Sequence, residues 1–271
     1  MTPFSNFHAH TTFCDGTETP EAMVKAAVEL GLEAFGLSGH AYMGFDTDWC
    51  MTRAGTAEYF AEMTRLKKLF DGKIALYTGI EQDYYSTEPT DRYDYVIGSV
   101  HYIKKDGQHL LVDECPEDTV RDVMQHFGGD YYAYTTAYFN TIADIVPKTH
   151  PDFIGHFDLV TKFNEGGKLF DETDPRYINP ALEALVAITE THKLFEINTG
   201  AMYRVGRSSP YPSAVLLKAI KERGGEIILS SDSHDGKSIG FKFAEAAVLA
   251  KNCGFKYAKT LTDTGFIDYK M

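Results

Sequence analysis

The segment NFHAHTTFCDG places His8 and His10 two residues apart near the start of the sequence, with Asp15 shortly after. In a strand, residues i and i+2 face the same side, about 7 Å apart at their Cα atoms. Two imidazoles so placed can reach one cation, which makes the pair a candidate chelate. An HxH pair also occurs on solvated strands, so its company decides. SGH, GIE, GSVH, GHFD and SDSH repeat one scheme of apolar run, small residue, then histidine or acid, and they supply His40, Glu81, His101, His156, Asp232 and His234.

These nine candidates are six imidazoles and three carboxylates, more than one ion with about four to six ligands can use. Two to three ions are therefore expected. Mixed nitrogen and oxygen donors suit zinc, manganese or iron rather than calcium or magnesium. His109 lies in a polar loop, His126 in a helical pattern, His150 before Pro151 and His192 after a helix. These four are assigned to surface or capping positions.

Elements must carry the candidates to one place. FSNFHAH reads as a strand, and TPEAMVKAAVELG as a helix with Thr19 as N-cap, Pro20 at its first position and Gly31 as its stop. Met23, Ala27 and Leu30 are expected on one face. The alternation continues with AFGLSGH, the helix TAEYFAEMTRLKKLF, IALYTGIE, and YDYVIGSVH after a link with no helix. A long helical region from EDTVRDVMQHF to NTIADIVPKTH leads into DFIGHFDLV. The helix NPALEALVAITETH, the strand LFEIN with Glu196 and Asn198 at its end, the helix PSAVLLKAIKERG, the strand EIILSSDSH, the helix FKFAEAAVLAKNCG and the run YAKTL follow.

Such alternation implies an α/β fold with a mainly parallel sheet. In an open sheet ligands gather at one switch point, whereas in a barrel the C-terminal ends of all strands converge on one mouth. Seven strands ending in metal-binding side chains favour closure: a distorted TIM-like (β/α)7 barrel. No Pro-, Gly- or Ser-rich linker interrupts the series, so residues 1–271 read as one domain.

The net charge of −13 speaks against nucleic-acid or anionic-membrane binding, and no run of about 18 apolar residues offers a membrane span. Cys14, Cys50, Cys115 and Cys253 are scattered, with no CxxC pair. Reduced thiols in a cytoplasmic protein are expected, since cleavage of a secretory signal would remove His8 and its neighbours.

In HAHTTFCDG, LSGH, GIE, GSVH, GHFD and SSDSH, in that order over nearly the whole chain, the sequence resembles the PHP (polymerase and histidinol phosphatase) family. The stretches GHFDLVTKFN, EINTGAMYRVGRSSPYPS and SSDSHDGKSIGFKF resemble its stand-alone histidinol-phosphatase branch. The resemblance implies a distorted seven-stranded barrel and a trinuclear site. His8, His10, Glu81 and Asp232 would hold one ion, Glu81 would bridge to a second at His101 and His156, and Asp15, His40 and His234 would surround a third. It also implies a phosphomonoesterase acting on histidinol phosphate in histidine biosynthesis.

That chemistry is physically coherent. A hydroxide bridging two divalent ions forms near neutral pH and can attack phosphorus in line with the leaving oxygen. Arg204, Arg207 and Lys162, after the fifth and sixth strands, are candidates for the phosphate, the arginines as planar forks and the lysine as a point charge. Asp15 and His234 are the catalytic candidates, with Asp15 either a ligand, the proton donor to the leaving alkoxide, or both. Two other readings within the resemblance are a nuclease acting on oligonucleotide ends, which the negative charge does not support, and a non-catalytic metal-stabilised interaction module, which would be expected to lack some ligands.

Overall fold

The computed structural model describes residues 5–271; Phe4, which opens the first expected strand, lies outside them. The strands are β1 (Ser5–Asn6), β2 (Ala34–Leu37), β3 (Ala75–Asp83), β4 (Tyr95–Ser99), β5 (Tyr102–Lys105), β6 (Gln108–Leu111), β7 (Phe153–Ile154), β8 (Leu194–Asn198), β9 (Glu226–Ser230), β10 (Tyr257–Thr262) and β11 (Gly265–Lys270). The helices are α1 (Pro20–Leu30), α2 (Arg53–Leu69), α3 (Pro116–His126), α4 (Tyr131–Ile142), α5 (Ile145–Thr149), α6 (Pro175–Thr189), α7 (Gly200–Arg204), α8 (Ala214–Glu222) and α9 (Phe243–Asn252).

Seven parallel strands run in the order β1-β2-β3-β4-β7-β8-β9. The sheet curls until its two edges meet near the mouth. Ala9 pairs with Ser233 there; the His10 amide donates to the Ser233 carbonyl at 2.7 Å, and the Ser233 amide to the His8 carbonyl at 3.2 Å. At the other end β10 pairs with β9 at Lys259 and Ile228 and continues into β11. Thr260 of β10 donates to the Ser5 hydroxyl at 2.9 Å, so this hairpin fills the gap beside the two-residue β1.

Tyr95 shows how the barrel interior is filled. Its ring lies across β2 and β3 where Gly36 and Gly79 stand, and a Cβ at either position would come within about 2.2 Å of that ring or its hydroxyl. The hydroxyl donates to the Phe7 carbonyl at 2.6 Å. A buried phenol is thereby satisfied, and the backbone just before His8 is fixed to β4.

Local chemistry sets α1: the Thr19 hydroxyl accepts from the Ala22 amide, Pro20 opens the helix, and Gly31 ends it at φ 80°. Met23, Val24 and Ala27 are buried, while Leu30 at the last turn is exposed. The long helical region expected over residues 117–150 is instead three helices. Gly128 and Gly129 take positive φ after α3, and Asp130 then caps α4 by accepting from the Tyr132 and Ala133 amides at 2.9 and 3.1 Å. The hairpin β5–β6 and the strand β11 are elements the sequence pattern did not supply.

Candidate metal centre

Each metal-ligand candidate sits at or just beyond the C-terminal end of a barrel strand: His8 and His10 after β1, His40 after β2, Glu81 near the end of β3, His101 after β4, His156 after β7, Asp232 and His234 after β9. Asp15 lies in the turn after His10. All nine come together in one cluster.

Glu81 is its centre. One carboxylate oxygen, Oε2, lies 3.0 Å from His8 Nε2, 3.4 Å from His10 Nε2 and 3.0 Å from His40 Nδ1. The other, Oε1, lies 2.8 Å from His156 Nε2 and 3.5 Å from His101 Nε2. Asp232 Oδ1 is 3.2 Å from His10 Nε2 and 3.6 Å from His8 Nε2. Asp15 closes the solvent side, 3.0 Å from His234 Nε2, 3.6 Å from His40 Nε2 and 3.5 Å from His10 Nδ1.

Four overlapping sets have donor atoms close enough to share an ion: His10, Asp15, His40 and His234; His8, Glu81 and His156; His8, His10 and Asp232; His40, Glu81 and His101. Among the described residues none hydrogen-bonds His8 Nε2, His10 Nε2 or Glu81 Oε2, although all three are buried. Buried polar atoms normally have partners. Orphaned donor atoms of nitrogen and oxygen facing one another are what a divalent cation would satisfy, so the residues present fit a metal centre.

The electrostatics agree. Burial opposes charge on Glu81, but His8, His40 and His101 around it hold its carboxyl well below the usual range. Burial likewise works against Asp232, where Arg204 and His8 prevail and keep it ionised. Burial lowers His10, and His234 and His40 beside it add to this, bringing the ring down to about 3; it stays neutral with a free lone pair. His8 and His40 go the other way: burial disfavours their charge, but Glu196 and Glu81 raise His8, and Glu81 and Asp15 raise His40.

Beside the cluster opens a cavity of about 220 Å³. Seven of the nine candidates line it, His8 and His10 lying beneath. Arg204 and Lys162 also line it, whereas Arg207 does not. Arg207 is buried behind, donating to the Thr161 carbonyl, with Glu172 at 3.9 Å and the Tyr211 ring 5.3 Å away. Lys162 Nζ is held 2.7 Å from the Asp113 carbonyl and 3.0 Å from its carboxylate. The remaining wall carries Trp49, Leu111, Leu159, Asp113 and Glu114.

Several of these residues escaped the sequence reading. Trp49 packs edge-on against His40 with ring centres 4.4 Å apart, and no local pattern marks it. Asp83 accepts from the His101 amide at 2.8 Å; its spacing of two from Glu81 on one strand was the available signal. His109, His126, His150 and His192 lie outside the cluster: His109 stacks on Phe45, His126 faces Asp106 at 3.2 Å, His150 ends α5, and His192 meets the Leu194 carbonyl.

A model of the PHP domain matches residues 6–200. The chain is 32% identical over 268 residues to the "Probable histidinol-phosphatase" of Deinococcus radiodurans, covering 94% of this chain and 95% of that one. To the histidinol-phosphatase of Bacillus subtilis it is 27% identical, covering 87% and 95%. The crystal structure of histidinol phosphate phosphatase from Lactococcus lactis, complexed with zinc, L-histidinol and phosphate, superposes with a TM-score of 0.72 over 97% of this chain and 98% of that one, at 24% identity. The likeness to that structure is one of fold, a TIM-like barrel. No helix among the described residues is long and apolar enough to cross a membrane.

Proposed function

The chain belongs to the PHP family, and from that premise we propose that it is a metal-dependent phosphomonoesterase hydrolysing L-histidinol phosphate to L-histidinol and phosphate in histidine biosynthesis. The observation that carries this reading is the convergence of nine donor side chains in one cluster, seven of them lining a cavity that Lys162 and Arg204 also line.

His8, His10, Glu81 and Asp232 would hold one ion, Glu81 would be shared with a second at His101 and His156, and Asp15, His40 and His234 would hold a third. Bound divalent ions supply a water acidic enough to attack near neutral pH and positive charge for the phosphate oxygens. Zinc, manganese and iron all suit the donor set.

The chain's own residues do the rest. Arg204 and Lys162 reach the cavity and would take phosphate oxygens through charge-assisted hydrogen bonds; Arg207 supports the segment from behind. The leaving alkoxide needs a proton, and Asp15 and His234, 3.0 Å apart and partly exposed at the mouth, are the side chains we assign to its delivery. Trp49, Leu111 and Leu159 with the acids Asp113 and Glu114 suit an aromatic, cationic leaving group.

The test is turnover by metal-loaded protein of L-histidinol phosphate, other small phosphomonoesters and a phosphodiester. Preferred cleavage of L-histidinol phosphate is expected. Equal turnover of all the monoesters, or preference for the diester, would overturn the substrate assignment.

A further inference from the structure

Glu196 lies on β8, fully buried, and belongs to none of the donor sets that could share an ion. Its carboxylate nevertheless receives four donors. Oε1 lies 2.6 Å from His8 Nδ1 and also accepts from the Ser230 hydroxyl. Oε2 accepts from the His156 amide at 2.8 Å and from the Asn198 side-chain amide at 2.9 Å. These partners follow or lie on β1, β9, β7 and β8, so one carboxylate ties together strands on both sides of the barrel seam.

A carboxylate in this setting only accepts hydrogen bonds. His8 therefore donates from Nδ1, and in the neutral ring the lone pair is left on Nε2. That is the nitrogen facing Glu81 and Asp232, at 3.0 and 3.6 Å. The same carboxylate pins the backbone of His156, whose ring reaches Glu81 at 2.8 Å from the other side. Through Asn198, which also donates to Asp232 at 3.2 Å, it is linked to a third member of the cluster. We infer that Glu196 is a positioning residue of the metal centre: it sets the tautomer of His8 and fixes His8 and His156 on opposite sides of Glu81.

The inference rests on the metal-centre reading above, and the experiment separates the two. Metal affinity is measured by titration against a competing chelator for the parent and for Glu196→Gln, with the thermal midpoint of each metal-free protein and the ring-nitrogen NMR shifts of His8 in the zinc-loaded form. Removing such a partner typically weakens binding roughly 10- to 100-fold. Glu196→Gln is expected to lose affinity in that range for one ion, with the His8 ring no longer fixed in one tautomer and a lower metal-free thermal midpoint because its amide nitrogen now faces two donors, and the parent's zinc-loaded His8 should carry its proton on Nδ1. A parent that binds no metal defeats the metal-centre reading itself. A parent that binds normally with its His8 proton on Nε2, or a Gln variant with unchanged affinity, defeats the inference alone. So does a Gln variant that loses thermal stability and affinity together with the His8 tautomer intact, because Glu196 would then be only a strut. The parent's NMR result decides the matter even if the variant does not fold.

Discussion

Arg204 grips Asp232 at two points: a guanidinium nitrogen lies 2.9 Å from the Asp232 carboxylate, and a second donates to the Asp232 carbonyl. The gripped residue is the one whose backbone is unusual, with φ 47° in a region most side chains avoid. That second nitrogen is also 2.8 Å from His234 Nδ1. Arg204 thus shapes the chain just beyond β9 while facing the cavity, and burial, which opposes its charge, is outweighed by Asp232.

Arg204→Ala is accordingly expected to weaken both turnover and inhibition by inorganic phosphate. A hydrogen bond to a charged group contributes roughly 1.5–3 kcal/mol, so an effect on the order of ten- to a hundredfold should appear. Metal content should fall as well, because Asp232 loses its brace. Kinetics, phosphate inhibition and elemental analysis of the variant would show this, and parental values in all three would remove Arg204 from the site.

Arg207→Ala should behave differently. Its guanidinium is buried against Thr161, Glu172 and Tyr211 and does not reach the cavity. The loss of a buried charged hydrogen bond, roughly 1.5–3 kcal/mol, should lower the thermal midpoint by several degrees and leave phosphate inhibition of the folded protein unchanged. A large loss of phosphate inhibition at an unchanged midpoint would show that Arg207, too, meets the substrate.

This contrast marks how far the sequence could be read. Arg204 and Arg207 are three residues apart, and their types alone do not separate them. What separates them is a turn: α7 ends at Arg204, Gly206 takes φ 71°, and the chain swings Arg207 inward. The strand ends and α1 were legible because their signals are local: apolar runs ending in a histidine or acid, and the cap residues Thr19, Pro20 and Gly31. The β5–β6 hairpin carries one local signal, Asp106-Gly107, both at positive φ and a favourable hairpin turn, but its flanks, Lys104, Lys105 and Gln108, hide the pattern of a strand. Glu196 was visible at the end of LFEIN, but its role depends on His8, 188 residues away, which no local pattern reports.

Metal uptake should be coupled to protons. Glu81, Asp232 and Glu196 are buried together with the partly exposed Asp15, and burial of His8 and His40 is overcome by these carboxylates, which raise both rings above the ordinary value of 6.5. A raised folded-state value means that protonation stabilises the metal-free protein fully below about 6.5, and that this contribution is lost as pH climbs through the raised values. Cations must displace those protons. The metal-free thermal midpoint is therefore expected to fall with rising pH over the interval in which metal affinity rises. Calorimetric titration in buffers of different ionisation heat measures the protons released; no release, with affinity flat from about pH 6 to 8, would contradict the charge balance described for the site.

Glu81→Gln tests the centre of the cluster. The carboxylate faces five histidines, three on one oxygen and two on the other, and no other side chain in the cluster spans both groups. The amide keeps the size but removes the charge and turns one acceptor into a donor. That donor would point at imidazole nitrogens needed as lone pairs. Elemental analysis of parent protein purified without chelator, with transition metals supplied, should find about two to three ions per chain, and Glu81→Gln should hold fewer and turn over at least about tenfold more slowly. The metal-free variant should also be less stable near neutral pH, because the histidines that hold the Glu81 carboxyl below its usual range lose the charge they pair with. His126→Gln is the control: His126 ends α3, beside Asp106 and outside the cluster, and both measurements should match the parent. Equal losses at the two positions would show that metal content follows general stability rather than the carboxylate at the centre, and a parent with one ion or none would rule out a shared, multinuclear site.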